Sequence, residues 1–478
     1  MSDQPDNNPF EVEERSLRSL FTRAFGKSRP GSPNLSNLSI YAFGLSGVWT
    51  GIGAGILPFK VIEALELGGI AVLGYALDKN GALGLISLLG LIVAAAAQLG
   101  AGALSDRDDR PGKRLLYLLA GGIGLSVMTI LFGFTSSFVT LILAIVAMQL
   151  FGNSAQGPAN ALIIDHVPVE ERGAAAGVLN LWRLLGAGSI TVIVLQFMAR
   201  YDKEDSPEWL WYSIAMMTTA VMVSVLWTVI TNRPKDGWFI PTLRKKTVKA
   251  VESQQYVSEA TPASGTKSGI SRSYLAFLVA LAFAIAAMSS MQIYALFFLQ
   301  DVVGLDNPAD GADWLVVAIV VAAALTVLPA GRLADRWGRT SLFIIAGSAG
   351  VVSSLLLLFV SSIGEVLAIG FVIGISVGLF MTLTWAVAND LVSRSGAAKE
   401  LGYISVATLI GAAGARFAGV GIDELNDVSE NLGYKMILVA VAISFAFSSL
   451  ILAKISKDSR FAGPIQTSEP VIAPSVSD

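Results

Sequence analysis

GALSDRDDRPGKR, residues 102–114, and GRLADRWGR, residues 331–339, place one phrase twice in apolar surroundings: a glycine, a leucine two places on, an Asp-Arg pair and a basic cluster. A shift of 229 lays Gly102, Leu104, Asp106 and Arg107 on Gly331, Leu333, Asp335 and Arg336. A shift of 225 lays Asp165, Gly177 and Gly186 on Asp390, Gly402 and Gly411. Offsets this constant over so long a stretch describe a chain built from two related halves.

The medium those halves occupy follows from composition. Of 478 residues, 54% are hydrophobic and 14% charged, with a mean hydropathy of +0.65, well above what a soluble domain carries. A net charge of −3 offers no basic field, so nucleic acid is excluded as a partner. The chain has no cysteine, which removes disulfides, thiolate metal sites and cysteine nucleophiles. His166 is its one histidine, so a histidine-rich metal site is excluded too, and no cofactor, metal or enzymatic activity is expected. His166 beside Asp165 has the look of a relay pair but has no nucleophile with it.

Apolar stretches long enough to cross a hydrocarbon core of about 30 Å fall at 39–61, 81–104, 115–135, 138–164, 173–199, 209–231, 273–299, 313–334, 341–361, 365–389, 401–421 and 434–454. The expected fold is therefore an all-α integral membrane bundle, twelve transmembrane helices in two six-helix pseudo-repeats. Its parts are an N-tail (1–38), a first half (39–231), a linker (232–272), a second half (273–455) and a C-tail (456–478). A transmembrane barrel would need alternating segments of about ten residues, which the sequence does not show.

Charge placement gives the orientation. With both termini inside, the inner segments hold 26 of the 33 Lys and Arg and the outer loops four, so tails, linker and both copies of the phrase are expected on the cytoplasmic side of the cell membrane. No secretory signal is recognised at the start, and the N-tail is expected to be retained. Residues 10–26 set Leu17, Leu20, Phe21 and Phe25 along one helical face beside Arg15, Arg18 and Arg23, which fits a helix lying on lipid or a loosely ordered tail.

GRLADRWGR resembles the signature loop of the major facilitator superfamily, between the second and third helices of a six-helix half, and DHVPVEERGAAAG (165–177) is similar to that superfamily's link between helices four and five. The resemblance implies an alternating-access carrier. It assigns Gly102, Asp106, Arg107, Asp165, Arg172, Gly331, Asp335, Arg336, Arg339 and Asp390 to an inner gate. Asp106 would sit at the N-terminus of the eleventh helix near Glu400 and Gly402, and Asp335 at that of the fifth near Arg172, each favoured by the helix dipole. Such contacts form only when the cytoplasmic side is closed.

The longer first copy, with LPF (57–59), QGPANALIID (156–165) and FFLQDVVGL (297–305), is similar to the sucrose-transporter-like branch of glycoside-proton symporters. Two positions depart from that branch. Gln149 stands where it usually has an aspartate, and an amide carries no proton; Asn160 stands where it tends to have an arginine.

Polar residues near the midplane are the candidate solute ligands. Arg183 falls roughly 15 Å into the fifth span, where a charge marks a substrate or ion path by default, and no acid is expected beside it. Trp49, Gln149, Asn153 and Asn180 share its depth, with Thr50 and Thr408, and Gln292, Trp385 and Asn389 flank it. Aromatic faces with amide donors suit a sugar ring, and each of these groups also suits an interhelical hydrogen bond. Glu63, Asp165, Asp301 and Asp390 are the candidates for carrying a coupling proton or sodium ion. Lys60, Glu63 and Glu66, at the outer end of the first span, are expected to snorkel.

The function expected is a secondary active transporter, a monomer in the lipid, moving a small polar solute such as a sugar or glycoside. An organic-anion exchanger would explain Arg183 and Arg416; a drug or metabolite exporter of the same superfamily is the other transport reading. A scaffold whose linker or tails bind a partner or anionic lipid stands last.

Overall fold

The computed structural model describes residues 34–68, 70–72, 75–108, 110, 112–167, 172–233, 272–391 and 397–456. Among them are twelve helices long and apolar enough to cross a membrane. The first half holds α1 (Leu35–Glu66), α2 (Lys79–Arg107), α3 (Lys113–Gly133), α4 (Phe138–His166), α5 (Arg172–Met198) and α6 (Glu208–Thr231). The second holds α7 (Arg272–Ile293, continued as Ala295–Asp301), α8 (Pro308–Trp337), α9 (Arg339–Leu356), α10 (Ile363–Leu391), α11 (Ala397–Val428) and α12 (Leu432–Ser456).

Local sequence accounts for the ends of several spans. Asn34 caps α1, its Oδ1 accepting from Ser36 and Asn37 N–H, so the first span starts before the predicted position 39. Asp78 caps α2 and Ser137 with Thr140 forms a capping box on α4, each filling a donor that a helix start leaves open. Helices α8 and α11 also outrun the predicted 313–334 and 401–421, because both continue through carboxylates at which an apolar stretch ends. A two-stranded antiparallel hairpin, β1 (Ile70–Val72) with β2 (Tyr75–Leu77), joins α1 to α2; strands this short carry no periodic signal in the sequence.

Within each half glycines set how closely helices cross. A Cβ on Gly186 would lie 2.0 Å from the Phe43 carbonyl oxygen, and one on Gly411 2.2 Å from that of Ala282. The two glycines that superpose in sequence thus make one crossing in both halves, α1 on α5 and α7 on α11. Between halves, α2 packs on α11 and α5 on α8. One apolar core runs through the first half and into the parts of α7, α8, α10 and α12 remote from the chain termini. The portions of α7, α9, α10 and α12 nearer the termini pack in a separate core of the second half. The halves are thus fused at the end remote from the termini, the far end, and part toward the termini end.

Candidate functional site

Beneath the fused end lies a cavity of about 330 Å³ between the halves. Two irregularities open it. A π-helical turn, Ile52–Ile56, interrupts α1 between Thr50 and Leu57, and Thr50 and Ala54 line the cavity. Helix α7 breaks at Tyr294, and Ser290, Gln292, Tyr294 and Ala295 around the break line it too. Backbone of this kind is tolerated at membrane depth where it borders a cavity. The rest of the wall is aliphatic, with Met288, Met291 and Phe298; Thr191 and Tyr434 complete the polar groups, and none of its residues carries a charge.

The roof of this cavity is a seal between the halves. Asp423 of α11, 9% exposed, accepts from the backbone N–H of Asn80 (3.3 Å) and Gly81 (2.5 Å) and from Asn80 Nδ2 (2.8 Å). The carboxylate thereby occupies the N-terminus of α2, where free amide hydrogens and the helix dipole both favour an anion. Asn80 Nδ2 also reaches Tyr434 Oη (3.1 Å), which donates to Asp301 Oδ2 (2.7 Å), and Asp301 Oδ1 pairs with Lys79 Nζ at 2.5 Å. Arg416 Nε donates across the gap to the Ser87 carbonyl (3.2 Å). Gly84 and Gly419 let backbone meet backbone: a Cβ on either would fall 2.3 Å from a carbonyl oxygen of the opposite helix. Beside this, Asn307 of the second half donates to the Ala199 carbonyl of the first.

At the termini end no seal of this kind joins the halves among the described residues. Among the described residues, a Cβ on Gly102 or Gly177 would meet nothing within 4 Å. Asp106, expected at α11 near Glu400 and Gly402, has its side chain 67% exposed and a partner in its own half: Arg114 Nη2 donates to it (2.6 Å) and Arg114 Nε to Asp165 (3.1 Å), while Ser105 Oγ takes Nη1. The described residues of the longer first loop bond to one another. Arg110, beside Asp108 at 2.6 Å, holds that carboxyl below the usual carboxylate range, and Lys113 Nζ donates to the Asp108 carbonyl. Because Asp106 and Asp165 are partly in water, Arg114→Ala is expected to lower stability by only about 1 kcal/mol, read as a small fall in the thermal midpoint; an unchanged midpoint would mean that Arg114 does not hold the loop.

Of the candidate solute ligands, Gln292 lines the cavity. Asn153 Nδ2 donates to Gln149 Oε1 (2.8 Å) one turn away, and Trp49 lies against Gly152. Arg183 Nη2 donates to Asn160 Oδ1 (2.8 Å) and Nη1 to Asn180 Oδ1 (3.4 Å). Arg107 and Arg336 are exposed and Arg339 is half-buried. The side chains of Arg172, Asp335, Trp385, Asn389, Asp390 and Glu400, and the surroundings of Gly331 and Gly402, lie outside the described residues.

Among the coupling candidates, Asp301 sits in the far seal and Asp165 on Arg114. Glu63 does not snorkel. It is 8% exposed, paired with Lys60 Nζ at 3.1 Å and accepting from Tyr201 Oη at 2.5 Å, while Lys60, 7% exposed, also donates to the Thr135 carbonyl. Burial and the neighbouring Glu63 carboxylate both push the Tyr201 phenol up. This group ties α1 to the end of α3 and to the segment after α5, so a charge placed at a predicted span end is interior once neighbouring elements cover it.

Residues the sequence reading passed over are Asp423, Asn80, Tyr434, Thr191 and Asp313. Asp313 of α8 is 3% exposed and accepts from Trp314 N–H at 2.5 Å. Asp423 stood just beyond a predicted span and Asp313 at the first residue of one, and a carboxylate inside an apolar helix would have been the signal.

Two six-helix bundles closed over a central cavity at one end and parted at the other define a membrane carrier. A family model described as MFS/sugar transport protein matches residues 78–422, and the chain belongs to that family, the transporter family that its sequence motifs resemble. Among curated relatives, the Multidrug resistance protein MdtG of Klebsiella pneumoniae (strain 342) is 25% identical over 409 residues, 83% of this chain and 87% of that protein. Among solved structures, a bacterial homolog of the human lysosomal transporter Spinster, inward-facing and unoccupied, shares the fold with a TM-score of 0.59 at 16% identity, covering 88% of this chain and 95% of that one. The peptide transporter POT in complex with sulfate does so with a TM-score of 0.64 at 14% identity, covering 92% and 97%.

Proposed function

We propose that this transporter works by alternating access in the cell membrane, with both termini in the cytoplasm, and that the far seal is its outer gate in the closed position. The carrying observation is the asymmetry: α2 and α11 meet backbone to backbone at Gly84 and Gly419, while no described residue stands within 4 Å of a Cβ on Gly102 or Gly177. The solute enters the cavity from the termini end or leaves by it, and the Asp423 and Asp301 contacts break when the other side opens.

The lining favours a solute whose bulk is apolar, which is also what the name of the MdtG relative suggests. A glycoside is the second reading, favoured by the family description; its sugar would meet the polar groups around the break in α7 and its aglycone the aliphatic wall. The gate is testable because the chain has no native cysteine. Cysteines at Ala199 and Asn307, joined by a short cleavable thiol reagent, should abolish uptake into liposomes, and cleavage should restore it. Unimpaired flux with the link intact would show that the far end does not move.

A further inference from the structure

Helix α5 carries Asn180, Arg183, Ala187 and Thr191 at steps of three and four residues, so they share one face running from the open end into the cavity. Ala187 and Thr191 line the cavity. Thr191 is 2% exposed, and its Oγ1 has no hydrogen-bond partner among the described residues. A threonine in a helix commonly returns its hydroxyl to the carbonyl four residues back, as Thr50, Thr218 and Thr326 do here. Thr191 keeps its hydroxyl unspent at an apolar wall, where an unmatched polar group is costly unless something that enters the cavity meets it.

Arg183 stands two turns from Thr191, about 12 Å along the axis, and one turn from Ala187. A guanidinium has five N–H donors, and the acceptors around this one are the neutral amides of Asn160 and Asn180. No carboxylate pairs with it among the described residues. Asn160 Oδ1 also accepts from Tyr41 Oη at 3.3 Å, which fixes the amide that aims the guanidinium. A cation within a span, held in place by neutral groups and keeping donors free, is built to meet an anion that arrives and departs.

We propose that the solute is an amphipathic organic anion. Its apolar body fills the cavity, a hydrogen-bonding group on that body meets Thr191 Oγ1, and its carboxylate or other oxyanion meets Arg183 at the cavity mouth. This rests on the cavity being the solute site of the carrier proposed above, and it adds two recognition points that the apolar wall lacks.

The test is equilibrium binding to the full chain in lipid nanodiscs, with partition into empty discs subtracted, using ω-hydroxydecanoate, ω-hydroxydecanamide and decanoate. For the unaltered protein the hydroxy acid should bind about tenfold tighter than its amide and several-fold tighter than decanoate. Arg183→Gln should erase the first preference by weakening the acid far more than the amide, whose retained binding shows that the variant is folded. Thr191→Val, close in shape, should erase only the second. Equal binding of acid and amide by the unaltered protein, or an Arg183→Gln variant that weakens both alike, would overturn the proposal. Uptake of the amide with no preference for the acid would leave the carrier standing and remove only the anion. A cross-linked far end that leaves all uptake unchanged would remove the gate reading, and the binding preferences would still judge the anion.

Discussion

Asp423→Ala should open the far end. In the sealed state this carboxylate gathers two backbone N–H groups and the Asn80 amide at the start of α2. Hydrogen bonds to a charged acceptor contribute about 1.5–3 kcal/mol each, and water recovers part of that when the seal parts. A net shift of about 2 kcal/mol moves a two-state equilibrium roughly thirtyfold. The readout is a single cysteine at Gln292, which lines the cavity just below the seal, labelled by a membrane-impermeant reagent applied to the far side only. Labelling should rise by an order of magnitude in the alanine variant. Asp423→Asn keeps the shape but turns one oxygen into a donor that faces other donors, so it should open the seal part of the way. Unchanged labelling in both variants would show that Asp423 does not hold the gate.

Glu63→Ala should produce a large loss of stability. It strands Lys60, 7% exposed, with the Thr135 carbonyl as its remaining partner among the described residues, and frees the Tyr201 hydroxyl. Removing one member of a buried ion pair costs about 3–5 kcal/mol, because the other is left charged and desolvated. A well-packed apolar replacement of both members is often neutral, so Lys60→Met with Glu63→Leu should recover most of the loss. Thermal unfolding in detergent or nanodiscs gives the comparison. A single variant as stable as the parent, or a double variant no better than the single, would place the pair in water rather than in the packed interior.

The membrane bundle was legible in the residues because its signals are long: twelve apolar runs, the doubled Asp-Arg phrase, and glycines at matching offsets. Gly186 and Gly411, matched by number alone, make the same crossing in each half. What escaped the reading sits at helix ends. Lys60, Glu63, Asp313 and Asp423 are buried or nearly so, yet an apolar run stops being recognisable at a charge, so each was set at a rim. The hairpin and the breaks in α1 and α7 were beyond reach for a related reason, since a few irregular residues leave no period.

The gate shows a second limit. An aspartate on the N-terminus of the opposite half's helix was expected of Asp106 at the termini end, and the same chemistry is found at the far end, on Asp423. The sequence contains the parts for both closures and does not say which is made. Thr191 illustrates the opposite case. Nothing about a threonine in a membrane helix marks it out, and only the missing partner in the folded protein does.

Tyr434 belongs to two structures at once: its side chain borders the cavity, and its hydroxyl joins Asn80 of one half to Asp301 of the other. A cargo tall enough to press on the ring therefore touches the fastening itself. If the cavity holds the solute as proposed, sensing whether the carrier is loaded would require no relay through helices, only the few ångströms between the face of a phenol and its oxygen.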